Sequence, residues 1–471
     1  MSEKTSRRAS VARVELFLFL LLWLGGGALI NSGNLSEFNL QQIGVEAIVE
    51  RGHFYLEGSA APELYPRADV FLRDGHKYAA KQPGQFMLGA VAYFFLRPLG
   101  VTYVRDYLLA SALVTFLTTT LLTALAGLCV FRLARAFAGD EAGLLWPLLS
   151  ALAYGFATTA FAYSGIAHHD AIASAYLLSA FYFAFRLARP MREDEQARRD
   201  GPRVGPSWGE TLTPRRARLC ASAVGLLLGL TLTTSMLPFF MAAVVFAYFL
   251  ALGRWRLLPH LLAGGFLGLL PLFVYDAVSF GHPLLLPNVA GNYTDTFFRF
   301  EPQNFLAKLG FYASMLALYA PVFFVGVAGL ALLPREFRRE QVTSACLLVV
   351  LLAYVTNIQT TGDCQYGPRY LLPAMPFAAL GLTAFGRTRA RRAFAVLVVA
   401  VAAFSFFVNL VGAARGAMYC QVERYALPAY LEAIARGEWR AFPLAWLAVP
   451  LAAVVLLLAR AVRRARVHFT R

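Results

Sequence analysis

Three short stretches hold most of the groups in this chain that could do chemistry. DGHKYAAKQPGQF (74–86) packs Asp74, His76, Lys77, Tyr78 and Lys81 ahead of a Pro-Gly corner. SGIAHHD (164–170) ends in His168, His169 and Asp170, and QYGPRY (365–370) sets Arg369 and Tyr370 behind a Gly-Pro pair. A run of carboxylates precedes the first stretch, among them Glu37, Glu46, Glu50, Glu57 and Asp69. Lysine and arginine beside stiff Pro/Gly/Tyr sequence are suited to hold a phosphate through charge-assisted hydrogen bonds. The alternative for any single basic residue is an ordinary headgroup anchor. Adjacent histidines on a helix diverge by about 100°, so they rarely share one metal ion. His168, His169 and Asp170 therefore read first as a polar lining, with a divalent metal as an open option. Asp170 also suits a helix start.

These groups must be held by a membrane scaffold. The 471 residues are 58% hydrophobic and only 15% charged, with a mean hydropathy of +0.56, too apolar for a soluble chain of this length. Apolar runs at about 14–30, 107–131, 143–163, 168–186, 219–233, 236–252, 259–276, 309–333, 342–357, 369–386, 393–413 and 441–460 predict some twelve transmembrane helices. They lack the alternation of barrel strands. The first run has a basic flank and no small-residue cleavage site, which predicts a retained helix. The net charge of +16 could suggest nucleic acid, but the arginines lie between apolar runs, as positive-inside topology requires. Twelve crossings put both termini and every arginine cluster on one side, provided that 86–96, about 11 apolar residues, is interfacial and does not cross. No partner nucleic acid is expected.

The polar stretches then share the outer side. The expected organisation is a transmembrane unit over 1–413 with an outer loop at 31–106 and an inner flexible linker at 187–218, followed by 414–471, an outer loop plus a last helix. Lys81 and Arg369 stand outside, against the topology rule, so a lipid phosphate is their expected ligand, with Tyr78 and Tyr370 beside them. Cys364 and Cys420 both fall in outer loops and could form a disulfide in an oxidising compartment. The five cysteines show no CxxC spacing. Few ionisable groups lie inside the spans, which weighs against a transporter or flippase.

Four stretches carry a resemblance, in order: NLSEFNLQQIGVEAIVERGHFY (34–55), DGHKYAAKQPGQFML (74–88), YSGIAHHDAIASAYLL (163–178), and FGHPL (280–284) with YGPRYLLPAMPF (366–377). Together they resemble the GT-C superfamily of polytopic glycosyltransferases, in its protein O-mannosyltransferase and aminoarabinose-transferase-like branch. The resemblance implies an all-α polytopic fold whose long first outer loop carries short interfacial helices. It implies inverting transfer of a sugar from a polyprenyl phosphate to a lipid, glycan or protein acceptor, on the periplasmic face of a bacterial inner membrane. A first-loop carboxylate would be the general base, and basic residues would hold the departing phosphate. The family's base is usually an aspartate soon after the first helix. Here the matching position is Glu37, so Asp69 and Asp74 stand as further candidates. His76, His168, His169 and Asp170 would line the substrate. Loss of the usual aspartate leaves a catalytically degenerate scaffold as an alternative.

Overall fold

The computed structural model describes the backbone of all residues except 1–2, 38–39, 62–68, 140–142, 201–211, 293–298, 363, 421–424 and 471; the side chains of 3–8, 36–37, 189–200 and 466–470 also lie outside the described residues. The protein is an all-α polytopic membrane protein. Among the described residues, eight helices are long and apolar enough to cross a bilayer: Ala9–Ala28, Tyr107–Ala138, His169–Ala188, Pro214–Thr234, Trp255–Phe280, Arg335–Asn357, Arg391–Arg415 and Ala445–Ala465. Pro302–Tyr319 and Val322–Leu330 would make a ninth, bent by 108° at Ala320-Pro321. Three expected spans are shorter or broken. The run at 143–163 splits into Leu145–Phe156 and Thr159–Ser164, because Thr158 turns extended and caps a new helix at Ala160 N. The run at 236–252 is helical only over Phe239–Ala251, after Pro238. The run at 369–386 alternates 3₁₀ and α turns around Pro373 and Pro376.

The elements that matter for the site are α1 (Glu3–Ala28), α2 (Ser32–Glu37), α3 (Leu40–Glu46), α4 (Gly84–Leu96), α5 (Tyr107–Thr115), α6 (Leu121–Ala138), α7 (Leu145–Phe156), α8 (Thr159–Ser164), α9 (His169–Asp200), α10 (Pro214–Thr234), α11 (Phe239–Ala251) and α12 (Leu258–Phe280). Helix α9 continues through 189–200, where a flexible linker was expected. The sequence MREDEQARRD there is rich in good helix formers, which explains the continuation. Helices α10 and α12 pack backbone to backbone through glycine. A Cβ on Gly225 would lie 1.8 Å from Leu261 O, and one on Gly229 would lie 2.4 Å from Gly265 O. Lipid provides little hydrophobic drive between helices, so close contact of small residues does that work.

The basic ends gather at one end of the bundle. Arg132 and Arg135 reach Glu15 at 2.8 and 3.5 Å, and Arg387 reaches Glu336 at 3.1 Å and bonds Phe137 O. Helix α9 starts at His169 and runs toward that arginine-rich end, whereas α10 starts there and finishes at Thr234. The starts of α9 and ends of α10 therefore lie opposite the arginine clusters.

The first loop folds on that opposite end. Asn31 Nδ2 donates to Ala413 O (2.7 Å), and Asn34 Oδ1 accepts from Ala417 N (2.7 Å), so the entry to α2 and α2 itself are stitched to the end of helix Arg391–Arg415 and the residues just after it. Buried Glu46, closing α3, accepts from Arg51 (3.0 Å), Ser59 Oγ (2.7 Å) and Ala60 N (2.7 Å), and so pins the loop that follows. Strands β1 (Val70–Arg73) and β2 (His76–Ala79) form an antiparallel hairpin with Val70 opposite Ala79 and Arg73 opposite His76. Its two-residue turn is Asp74-Gly75, both at positive φ (50° and 82°), the backbone an Asp-Gly turn favours. Helix α4 has 13 residues, rising about 20 Å, too short to cross; it turns Val91, Phe94 and Phe95 outward and starts at Gly84, whose Cβ would meet Thr234 Oγ1 at 2.3 Å.

Candidate active site

The hairpin register decides which first-loop carboxylate reaches the site. Asp69 stands just before β1 and Lys81 just after β2, and the ladder extends one step further through Ala80 N to Asp69 O (2.7 Å). The two side chains therefore meet, with Lys81 Nζ 3.1 Å from Asp69 Oδ1. Asp69 takes a left-handed backbone (φ 59°), which aspartate tolerates better than most residues. Asp74 lies at the other end of the same hairpin, five residues away, or roughly 16 Å along an extended chain. Its side chain is 86% exposed and meets Arg73 at 3.5 Å. One rigid hairpin does not bring both aspartates to one cleft, and Asp69 is the one at the site.

Tyr78 and His76 also fall away from Lys81. Tyr78 faces the loop core, edge-on to Phe280 (5.5 Å between ring centroids) and beside Phe71. Burial, then Asp74 and Glu57, push its phenol pKa upward, so it stays neutral. His76 is exposed and stacks on Tyr55 at 4.1 Å. The expectation that Tyr78 sits beside a bound phosphate does not match this placement: side chains alternate along β2, and its apolar ring completes the loop core. Glu37 is the last residue of α2, and its side chain lies outside the described residues.

A small cleft is lined by Lys81, Gln82, His169, Asp170, Ser235, Met236, Leu237, Asn288, Arg369 and Tyr370. Five separate chain segments meet there, and each arrives for a local reason. Asp170 sits in the first turn of α9, where a carboxylate complements the helix dipole. His168 serves that helix start, its Nδ1 accepting from Asp170 N at 3.1 Å. Ser235 ends α10 in extended backbone, and its Oγ donates to Asp170 Oδ1 at 2.7 Å. Asn288 follows Pro287 in the loop after α12 and accepts from Gln82 Nε2 at 2.7 Å. Arg369 opens a 3₁₀ helix behind Gly367 (φ 73°) and Pro368.

The cleft combines two cations, Lys81 and Arg369, with one buried carboxylate, Asp170, while the half-buried Asp69 pairs with Lys81 beside it. Arg369 Nε lies 3.9 Å from Asp170 Oδ2, and neither atom has a protein hydrogen bond. Arg369 Nη1 donates to Cys364 O at 3.3 Å, and its guanidinium lies 5.2 Å from the Tyr370 ring centre. His169 Nε2 is 3.5 Å from Asp170 Oδ1, and its Nδ1 is 3.4 Å from Gln41 Nε2 of α3. Buried ionic groups need partners on every side, so the unfilled bonding capacity of Arg369 and Asp170 faces a place for a polar ligand. His168, His169 and Asp170 place ligand atoms within 4.8 Å of one another, a grouping that could hold a cation. His168 Nδ1 already accepts from Asp170 N, so that nitrogen is engaged; His169 Nε2 and the Asp170 carboxylate are the better metal donors.

Of the residues expected at the site, the structure unites Asp69, Lys81, His169, Asp170, Arg369 and Tyr370, with His168 directly behind them. Gln41, Gln82, Ser235 and Asn288 escaped sequence reading. They are neutral polar residues; Gln41 and Gln82 fall inside the quoted stretches 34–55 and 74–88, but nothing in those stretches singles them out. Asp276, near the end of the largely lipid-facing α12, is itself buried, and neither of its carboxylate oxygens has a protein hydrogen bond.

This arrangement of helices under a first-loop hairpin is shared with membrane proteins of known structure. The chain is similar to the crystal structure of ArnT from Cupriavidus metallidurans bound to undecaprenyl phosphate, with a TM-score of 0.52 at 13% identity over 97% of this chain and 77% of that one. Its apo form gives 0.51 at 15% identity over 98% and 75%. The archaeal oligosaccharyltransferase AglB from Archaeoglobus fulgidus, in complex with an inhibitory peptide and a dolichol-phosphate, gives 0.51 at 14% identity, covering 87% of this chain and 56% of AglB. At such identities the likeness establishes the fold. No protein-family model and no curated protein matches the sequence.

Proposed function

We propose that the protein is a membrane glycosyltransferase that takes a sugar from a polyprenyl phosphate, with Lys81 and Arg369 holding the phosphate. The carrying observation is that these two cations, far apart in sequence, line one cleft together with Asp170. A similar fold binding undecaprenyl phosphate supports the reading. The site would face the periplasm of a bacterial inner membrane, because it lies opposite the arginine clusters. The acceptor is a lipid, glycan or protein.

In the proposed reaction an acceptor hydroxyl attacks the anomeric carbon from the face opposite the phosphate. The new carbon–oxygen bond forms as the bond to the phosphate oxygen breaks. The pair of electrons leaves on polyprenyl phosphate, whose added charge Lys81 and Arg369 stabilise. The hydroxyl proton passes to a first-loop carboxylate. Asp69 suits this step, since a phosphate on Lys81 would replace Asp69 as counter-ion and leave its carboxylate able to accept a proton. Glu37 is the second candidate, four residues before Gln41, which contacts His169. His169 and Asp170 would orient the sugar, or hold a divalent cation if turnover needs one.

Binding of undecaprenyl phosphate to purified wild-type, Lys81→Ala and Arg369→Ala protein tests the phosphate assignment. A charge-assisted bond contributes about 1.5–3 kcal/mol, so each substitution should weaken binding roughly 10- to 150-fold. Wild-type affinity in both variants would refute it.

A further inference from the structure

Helix α10 reaches the cleft through a run of hydroxyl residues, TLTTS at 231–235. Three of the four hydroxyls bond backbone carbonyls: Thr231 Oγ1 to Leu227 O, Thr233 Oγ1 to Gly268 O and Thr234 Oγ1 to Leu230 O, each at 2.7 Å. Ser235 has left the helix in extended backbone, and its hydroxyl bonds a side chain instead. Its Oγ accepts from Leu237 N at 3.2 Å, so its one proton is directed at Asp170 Oδ1, 2.7 Å away. Among the described residues this is the only hydrogen bond to the Asp170 carboxylate. His169 Nε2 at 3.5 Å, His168 Nδ1 at 3.7 Å and Arg369 Nε at 3.9 Å stand further off. Arg369 belongs to a separate loop, joined to the segment after Arg391–Arg415 by the Cys364–Cys420 disulfide and by Gln365 N to Tyr419 O at 3.0 Å. A change at Ser235 therefore acts on Asp170 and not on the seat of the arginine.

We infer that Ser235 is a positioning residue, which turns Asp170 so that it accepts a hydroxyl of the sugar being transferred; this deepens, and rests on, the proposed glycosyl transfer. With Oδ1 engaged by Ser235, Oδ2 is the oxygen left to accept from a ligand, and it has no protein hydrogen bond. Arg369 Nε, a donor that also lacks a protein bond, lies 3.9 Å from it. An acceptor beside a donor matches a group that both gives and takes a hydrogen bond. A sugar hydroxyl does so, and an ionised phosphate only accepts. A guanidinium carries five N–H donors, so one edge of Arg369 can meet the phosphate while Nε meets the sugar next to it. Removal of the Ser235 hydroxyl leaves the carboxylate without its fixed bond. The sugar then loses an aligned acceptor, whereas the phosphate keeps Lys81 and Arg369.

Two ligands separate this role from a merely structural one. Binding of undecaprenyl phosphate, and of undecaprenyl phosphate carrying a hexose or a pentose, is measured without acceptor on wild type, Ser235→Ala, Asp170→Asn and the double variant, with thermal unfolding of each in the same detergent. Wild type should prefer at least one sugar conjugate over undecaprenyl phosphate alone. Ser235→Ala should lower that ratio of affinities about tenfold, the effect of one charge-assisted hydrogen bond, with undecaprenyl phosphate binding itself kept within about twofold. Asp170→Asn should lose the same preference, and Ser235→Ala should then remove nothing more. Equal losses for both ligands, an unchanged ratio in either single variant, a further drop in the double variant, or a wild type that prefers no sugar each overturn the inference. Should Ser235→Ala not fold, Ser235→Cys, nearly isosteric with a weaker donor, must lower the same ratio, and an unchanged ratio refutes the proposal. Lys81→Ala and Arg369→Ala are judged on undecaprenyl phosphate alone: wild-type affinity in both means that the phosphate assignment has failed, a result distinct from any change in the ratio.

Discussion

At the residue scale, the site is decided by which charges face one another. Lys81 pairs with Asp69, Arg369 approaches Asp170, and Asp74 points into solvent from the far end of the hairpin. Two substitutions separate these roles. Asp69→Asn should cut turnover at least about a hundredfold, the lower end of the range for a lost general base, while undecaprenyl phosphate still binds, because Lys81 is released from its partner. Asp74→Asn should keep turnover within about twofold, since asparagine also accepts left-handed backbone. A sugar-transfer assay run on both reads the contrast, and Glu37→Gln beside them tells which carboxylate takes the proton. Equal effects at 69 and 74 would remove the hairpin argument. The charged and aromatic members of the cleft were legible in sequence because Lys81, Asp170 and Arg369 sit in stiff, unusual stretches of an apolar chain. Tyr78 misled because its neighbours in sequence are polar, whereas alternation along β2 turns it into the loop core. Ser235 and Asn288 were not legible, since nothing local marks a serine after a threonine run or an asparagine after a proline as converging on Asp170 and Gln82.

At the element scale, the hairpin and the glycine-packed helix pair hold the geometry. The Asp-Gly turn was readable from composition alone, as was the shortness of α4. The broken helices were not: a run of apolar residues reports length, and the breaks at Thr158, Pro321 and Pro373 depend on caps and packing that a hydropathy pattern does not contain. The contact of α10 with α12 brings Ser235 to the cleft from one side and the Asn288 loop from the other. Gly225→Ala forces a Cβ to within 1.8 Å of Leu261 O. It should destabilise the protein by about 1–3 kcal/mol, as overpacking does, visible as a lower unfolding temperature in detergent. An unchanged transition would mean that this helix pair is not as closely packed as the backbone contacts state.

At the scale of the whole molecule, the arginine clusters and the cleft occupy opposite ends of the bundle, which ties the chemistry to one face of the membrane. Cysteines placed at Asp74 and at Arg389, in a chain that keeps only the native disulfide, should react with an impermeant maleimide from opposite sides. Labelling of both from one side would break the topology. The shape of the fold was visible in the sequence through its spans and its arginine bias. How five segments converge was not, because those contacts join positions hundreds of residues apart. Sugar transfer is the decisive activity. Purified protein incubated with a panel of polyprenyl-phosphate sugars and analysed by mass spectrometry should release the free polyprenyl phosphate from at least one donor, and both Lys81→Ala and Arg369→Ala should abolish that release. Release that persists in both variants, or that no donor supports, would contradict it.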